Sequence, residues 1–119
     1  MKKIISTIFL FGILASANML SAQKLTQEKL KAIATDNIAT FKKHFAPGDY
    51  NKCFSLGYES FTPLAYSALN GKKTIVNFLL NSKVDINKKC QTDTALKIAE
   101  DSKRVEIAQL LIEKGAKRD

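Results

Sequence analysis

The sequence predicts an all-α fold, a short solenoid of about three helix-turn-helix repeats behind an N-terminal leader. Three observations predict it. Phe61–Val84 reads as a capped apolar helix, a glycine turn and a second amphipathic helix. The same pattern of small and large apolar residues returns 32 residues later. A unit of two helices that leaves apolar faces open on both sides, repeated at a period of about 32–36 residues, is the signature of a solenoid.

The leader comes first in the chain. Met1-Lys2-Lys3 is a short basic segment, Ile4–Leu14 is mostly apolar, and the residues around Ala15–Ala22 are mostly small or polar. That order is the signature of a secretory signal peptide. A membrane-spanning helix needs about 20 apolar residues, and this run is interrupted by Ser16, Asn18 and Ser21. Cleavage after Ala22 would make Gln23 the first mature residue, and cleavage after Ala17 would leave Asn18 there. No cysteine follows the apolar run, so a lipid-attached N-terminus is not expected. The expected domains are therefore a signal peptide over 1–22 and a repeat domain over 23–119. An uncleaved anchor is the alternative. The style of the leader is bacterial, which places the mature chain in the periplasm or outside the cell.

The 119 residues carry 19 basic and 11 acidic side chains. Removing the leader removes Lys2 and Lys3, leaving 17 against 11 and a net charge of +6. This balance favours a partner with an acidic surface. The lysines are scattered instead of forming a stripe, so no nucleic-acid partner is expected.

Thr26 can cap a first helix with Leu30, Ile33 and Ala34 at helical spacing. Thr35-Asp36-Asn37 breaks it. A second helix carries Ile38, Phe41 and Phe45 on one side and Lys42 and Lys43 on the other. Ala46-Pro47-Gly48-Asp49 ends that helix, since proline cannot continue the hydrogen-bond ladder. Tyr50–Ser60 is the longest loop-like stretch, with room for a short extended or hairpin piece. Thr62-Pro63 then supplies an N-cap and a proline at the first helical position. Leu64, Ala65, Ala68 and Leu69 form the helix interior, and Asn70-Gly71 turns the chain. Ile75, Val76, Phe78, Leu79 and Leu80 give a longer apolar face up to Asn81–Lys83. A shift of 32 sets Thr62 on Thr94, Leu64 on Leu96, Ile75 on Ile107 and Leu79 on Leu111. The last helix is expected over Lys103–Lys114, closing at Gly115. The first helical pair fits a degraded copy at an offset of 35, with Asp36 at the place of Gly71, Phe41 at that of Val76 and Gly48 at that of Lys83.

Cys53 and Cys90 remain after leader removal, 37 residues apart. An even count in a small exported domain invites a disulfide, and stacked repeats bring corresponding loops side by side. Two separate free thiols are the alternative. There is no Cys-x-x-Cys pair and no histidine cluster, so no metal or cofactor is expected.

Phe61-Thr62-Pro63-Leu64-Ala65 with Gly71, then Ile75-Val76, Phe78-Leu79-Leu80 and Val84-Asp85-Ile86-Asn87, resembles an ankyrin repeat. The resemblance covers about Leu30–Asp119 and is strongest over Phe61–Asn87. Ala65 stands in place of the family's histidine, and Lys83 in place of its late glycine. The next copy, Thr94-Ala95-Leu96-Lys97, lacks the proline and the histidine, and Ser102-Lys103 stands where a glycine turn is usual. The resemblance implies protein–protein interaction without catalysis. The family's usual contact surface, carried onto this chain, falls on Tyr58, Glu59 and Ser60 in one loop. It continues through Lys88, Lys89, Gln91, Thr92 and Asp93 in the next, with Tyr66, Asn70 and Lys97 on or near the first helices. Tyr58 and Tyr66 are the expected aromatic anchors.

Catalysis finds no support in the residues themselves. His44 is the single histidine, and a lone general base needs a nearby partner and a pocket. The glutamates Glu28, Glu59, Glu100, Glu106 and Glu113 are interspersed with lysines on solvated faces, and no phosphate loop or nucleophile motif is present. The expected function is a non-catalytic protein-binding module of the periplasm or cell envelope. An immunity or inhibitor protein against a toxin or envelope enzyme is one alternative, and a membrane-anchored structural protein is another.

Overall fold

The computed structural model describes residues 23–118; the leader expected over 1–22 lies outside the described residues. Six helices form three pairs: α1 (Gln27–Ala34) with α2 (Ile38–His44), α3 (Pro63–Leu69) with α4 (Lys73–Asn81), and α5 (Ala95–Asp101) with α6 (Val105–Glu113). The fold is mostly helical, but a small sheet accompanies it. Strand β1 (Gln23–Lys24) pairs in parallel with β2 (Phe54–Leu56), which pairs antiparallel with β3 (Glu59–Phe61). The β2–β3 hairpin is the extended piece expected within Tyr50–Ser60. Gly57, at the first central position of its turn, has φ +64, as a two-residue hairpin turn asks there. No pattern at Gln23–Lys24 announced β1, because two exposed residues carry no periodicity.

The helix starts follow the expected chemistry. Thr26, Asn37, Thr62 and Thr94 each accept the backbone N–H three residues ahead, at 3.3, 3.0, 3.0 and 3.2 Å. Each satisfies one of the donors a helix N-terminus leaves open. The interhelical turns repeat one geometry. Asp36, Gly71 and Lys103 hold φ of 53, 70 and 60, so the three residues aligned by the repeat share one left-handed turn. Lys103 therefore precedes the last helix instead of opening it, and α6 begins at Val105. At the far end of the second helices Lys83 (φ 60) and Gly115 (φ 104) are again equivalent. Gly48 breaks this equivalence. It lies in a single 3₁₀ turn, Pro47–Asp49, without positive φ, because proline and the Asp49 carboxylate, which accepts from Ala46 N–H at 3.0 Å, fix a different exit.

Each pair buries one face. Ile75, Val76 and Leu79 of α4 are buried, as are Ile107, Ala108 and Leu111 of α6. In α1 the buried residues are Ala32 and Ile33, while Ala34 is exposed, a shift by two positions from the expected Ala34. The first pair replaces aliphatic packing with rings. Phe41 stacks on Phe45 with centroids 4.5 Å apart and meets Tyr50 at 5.8 Å and Phe78 at 6.0 Å; Phe45 meets Phe54 edge-on at 5.5 Å. Such ring pairs add to the burial of apolar area. Between pairs, α3 packs closely on α5, and α2 on α4.

Polar contacts also cross from one repeat to the next. The Asp36 carboxylate accepts Thr74 N–H at 3.3 Å and Ile75 N–H at 3.0 Å, capping α4 from the neighbouring turn. Asn51 Oδ1 accepts Asp85 N–H at 2.7 Å, and Asn87 Oδ1 accepts Lys117 N–H at 3.0 Å, each linking one loop to the next. Among the described residues no helix is long and apolar enough to cross a membrane.

Candidate partner-binding surface

The hairpin and the loop before α5 stand side by side on the edge of the stack, and a disulfide joins them. Cys53 immediately precedes β2, Cys90 lies one residue before Gln91, and their Cα atoms are 5.6 Å apart. Gln91 adds a second tie, its Nε2 donating to the Tyr58 carbonyl at 2.9 Å. Residues 37 apart in sequence therefore form one continuous edge.

Between them and the ends of α3 and α5 lies a cleft of ≈ 210 Å³. Glu59, Ser60, Gln91, Thr92 and Asp93 line it, together with Phe61, Leu69, Ile98, Asp101 and Ser102. The two loops thus deliver five of the expected contact residues to one place. Tyr58 sits at the hairpin tip with its side chain fully exposed (102%).

Tyr66 behaves differently. It is half-buried, its ring set edge-on to Phe61 at 5.4 Å, so much of its surface serves packing. Asn70 is half-buried and donates from Nδ2 to the Tyr66 carbonyl at 2.9 Å, closing the end of α3. Neither lines the cleft. Lys88 is half-buried, Lys89 is exposed, and Lys97 is exposed beside the cleft. The Lys97 ammonium is bonded to both Asp101 oxygens at 2.8 and 2.9 Å, and this hydrogen bond and charge raise its pKa.

Ile98 and Ser102 line the cleft without having been expected there, although the repeat pointed to them. A shift of 32 carries Tyr66 to Ile98 and Asn70 to Ser102, and it is these third-repeat equivalents that line the cleft. The electrostatics are also local. The chain as a whole is basic, but the cleft carries the carboxylates Glu59, Asp93 and Asp101 over an apolar floor of Phe61, Leu69 and Ile98. His44, the single histidine, is half-buried at the end of α2, and its carbonyl accepts Lys29 Nζ at 2.7 Å.

No curated protein matches the chain. A family model does: the model for ankyrin repeats, in three copies, matches residues 29–119. Its span begins within α1 and runs past α6, so it reaches all three helical pairs, including the ring-packed first one. The chain belongs to the ankyrin repeat family, whose members are non-catalytic scaffolds that act as protein–protein interaction modules.

Proposed function

We propose that this chain is an exported adaptor that binds one partner protein across the cleft between the β2–β3 hairpin and the Gln91–Asp93 loop. The observation that carries the reading is convergence: Glu59, Ser60, Gln91, Thr92 and Asp93, from two loops, meet around one apolar floor. A disulfide and a side-chain hydrogen bond hold the two loops together. Preorganised loops of this kind lose little conformational freedom on binding. Tyr58, fully exposed at the hairpin tip, supplies the aromatic anchor. The overall basic charge favours a partner whose surface is acidic, with Lys88, Lys89 and Lys97 near the contact. The carboxylates at the cleft itself favour a basic or amide-donating group at the centre of that partner's contact.

The leader pattern supports action in the periplasm or outside the cell, where a disulfide also persists. An inhibitor or immunity protein is a narrower form of the same reading, distinguished by whether the partner is a toxin or an envelope enzyme.

The test is affinity capture from periplasmic extract, followed by a Kd for the captured protein. Tyr58→Ala combined with Asp93→Lys is expected to weaken that Kd by at least about tenfold, or 1.4 kcal/mol, while leaving thermal stability unchanged. An unchanged Kd would place the contact elsewhere. N-terminal sequencing of the soluble protein checks the export half of the proposal: Gln23 or Asn18 is expected, and a retained Met1 in the membrane fraction overturns it.

A further inference from the structure

The small sheet has one open edge, and it borders the cleft. The strand order is β1-β2-β3, so among the described residues β2 is flanked on both sides and β3 on one only. Across the hairpin, Ser55 stands opposite Ser60. The Ser55 carbonyl accepts Leu25 N–H at 2.8 Å, so Ser55 is turned toward β1. Directly opposed residues of an antiparallel ladder either exchange both backbone bonds or turn both away. Ser60 therefore directs its own N–H and C=O away from β2, at the open edge. Neither group has a hydrogen-bond partner among the described residues.

The repeat accounts for the opening. A shift of 32 carries Glu59–Phe61 onto Gln91–Asp93, which form no strand. That loop reaches the hairpin through a side chain, Gln91 Nε2 on the Tyr58 carbonyl at 2.9 Å, and gives β3 no backbone bond. Ser60 lines the cleft between Glu59 and Phe61. Alternate residues of a strand share a face, so Glu59 and Phe61 present a carboxylate and an apolar ring side by side. Among the described residues, the cleft lining carries the carboxylates Glu59, Asp93 and Asp101 and no lysine or arginine. Lys97, beside it, is held by Asp101 at 2.8 Å.

We propose that the partner is recognised by strand addition: an extended segment of it pairs antiparallel with β3, its central residue exchanging both backbone bonds with Ser60. This deepens the cleft reading and rests on it. A strand spacing of about 4.8 Å sets the residues before and after that centre beside Phe61 and Glu59. Antiparallel order puts the earlier one on the apolar floor of Phe61, Leu69 and Ile98, and the later one at the Glu59 carboxylate. The segment recognised is thus apolar–any–basic, a leucine or valine followed two residues on by a lysine or arginine. Backbone bonds supply affinity in such a contact, and the flanking side chains supply selection.

An NMR titration of the isotope-labelled exported chain with the peptide acetyl-Thr-Leu-Thr-Lys-Thr-amide, up to about 5 mM, tests this. The Ser60 amide proton is expected to move downfield as its bond forms. The same peptide N-methylated at its central threonine lacks the donor to the Ser60 carbonyl. It should bind at least about fivefold more weakly, the loss of one net hydrogen bond. The reversed peptide, acetyl-Thr-Lys-Thr-Leu-Thr-amide, should weaken by a similar factor, and Glu59→Gln should narrow the gap between the two. Ser60→Pro removes the outward N–H without touching a bond to β2 and should weaken the unmodified peptide at least about fivefold. Melting curves confirm that this variant is folded; should it fail to fold, the N-methylated peptide decides alone. Equal affinity for the plain and N-methylated peptides overturns strand addition, and shifts at Gln91 and Thr92 would then leave the cleft reading standing without it. An unmoved Ser60 amide throughout the titration also overturns it. The affinity of the captured partner for Tyr58→Ala with Asp93→Lys then judges the cleft by itself.

Discussion

Ser67 Oγ is buried in α3 with no hydrogen-bond partner among the described residues, and the equivalent residue one repeat on is Ala99, equally buried. A buried hydroxyl without a partner costs about 1–3 kcal/mol of desolvation. Ser67→Ala removes it without opening a sizeable cavity, and is expected to raise the urea-unfolding free energy by about 1 kcal/mol. Asp49 is a residue-scale effect of the opposite sign. Burial by itself raises its carboxyl pKa, but the Ala46 N–H bond and the Lys52 ammonium at 3.1 Å outweigh that and hold it below the usual value. The unfolded chain then binds the proton more readily than the folded one. The contribution is present above the unfolded pKa of about 3.9 and is lost as pH falls through the lower folded value. Urea midpoints measured downward from pH 5 should fall in acid for the wild type, and Asp49→Asn should flatten that fall. Neither residue was marked by the sequence. Ser67 differs from its aligned alanine by one oxygen, and Asp49 reads as ordinary turn chemistry until its partners are seen.

At the scale of the element, the interhelical turns explain why the repeat was legible and where it blurred. The threonine caps and the Ile75/Ile107 and Leu79/Leu111 pairs were readable because each has a local cause, a cap or a 3.6-residue period. The third turn, carrying Ser102-Lys103 in place of glycine, keeps the same left-handed backbone because packing on both sides dictates it. Cross-repeat contacts were not readable. Asp36 caps a helix 38 residues away, and no local pattern encodes that. The cleft was legible as two loops, but its floor required knowing that α3 and α5 end beside each other. The turns predict opposite outcomes for two substitutions. Lys103→Gly relieves a left-handed conformation that costs an L-residue roughly 1–2 kcal/mol, offset in part by the greater freedom of glycine in the unfolded chain. A net gain of about 0.5 kcal/mol is expected in chemical denaturation. Gly71→Ala imposes the same strain, and its Cβ would lie 3.0 Å from Arg104 Nη1. It should lose about 1 kcal/mol and loosen the bond from Arg104 Nε to the Leu69 carbonyl, now 3.1 Å.

For the whole molecule, the Cys53–Cys90 bond determines how the repeats act together. Repeat proteins derive stability from nearest-neighbour contacts and can fray from either end. Here the first pair differs from the others in its ring-packed core and its altered exit at Gly48, so its junction with the second pair is the least regular one in the stack. The disulfide spans 37 residues, from the segment entering the hairpin to the loop before α5. It therefore encloses the whole second pair and ties both of its flanking loops together. In the loop-entropy description, closing a ring of that size stabilises the folded state by about 3–4 kcal/mol. Against the 5–15 kcal/mol typical of a domain, that is a large fraction. The same bond holds Glu59 and Ser60 opposite Gln91 and Asp93, so stability and cleft geometry are linked. Reduction, or Cys53→Ser with Cys90→Ser, is expected to lower the urea-unfolding free energy by about 2–4 kcal/mol. Partner affinity should fall with it even at temperatures where the helices remain fully formed by circular dichroism. Lost stability with unchanged affinity would mean that the loops keep their places without the bond. Both quantities falling together would show that the clip organises the binding edge as well as the stack.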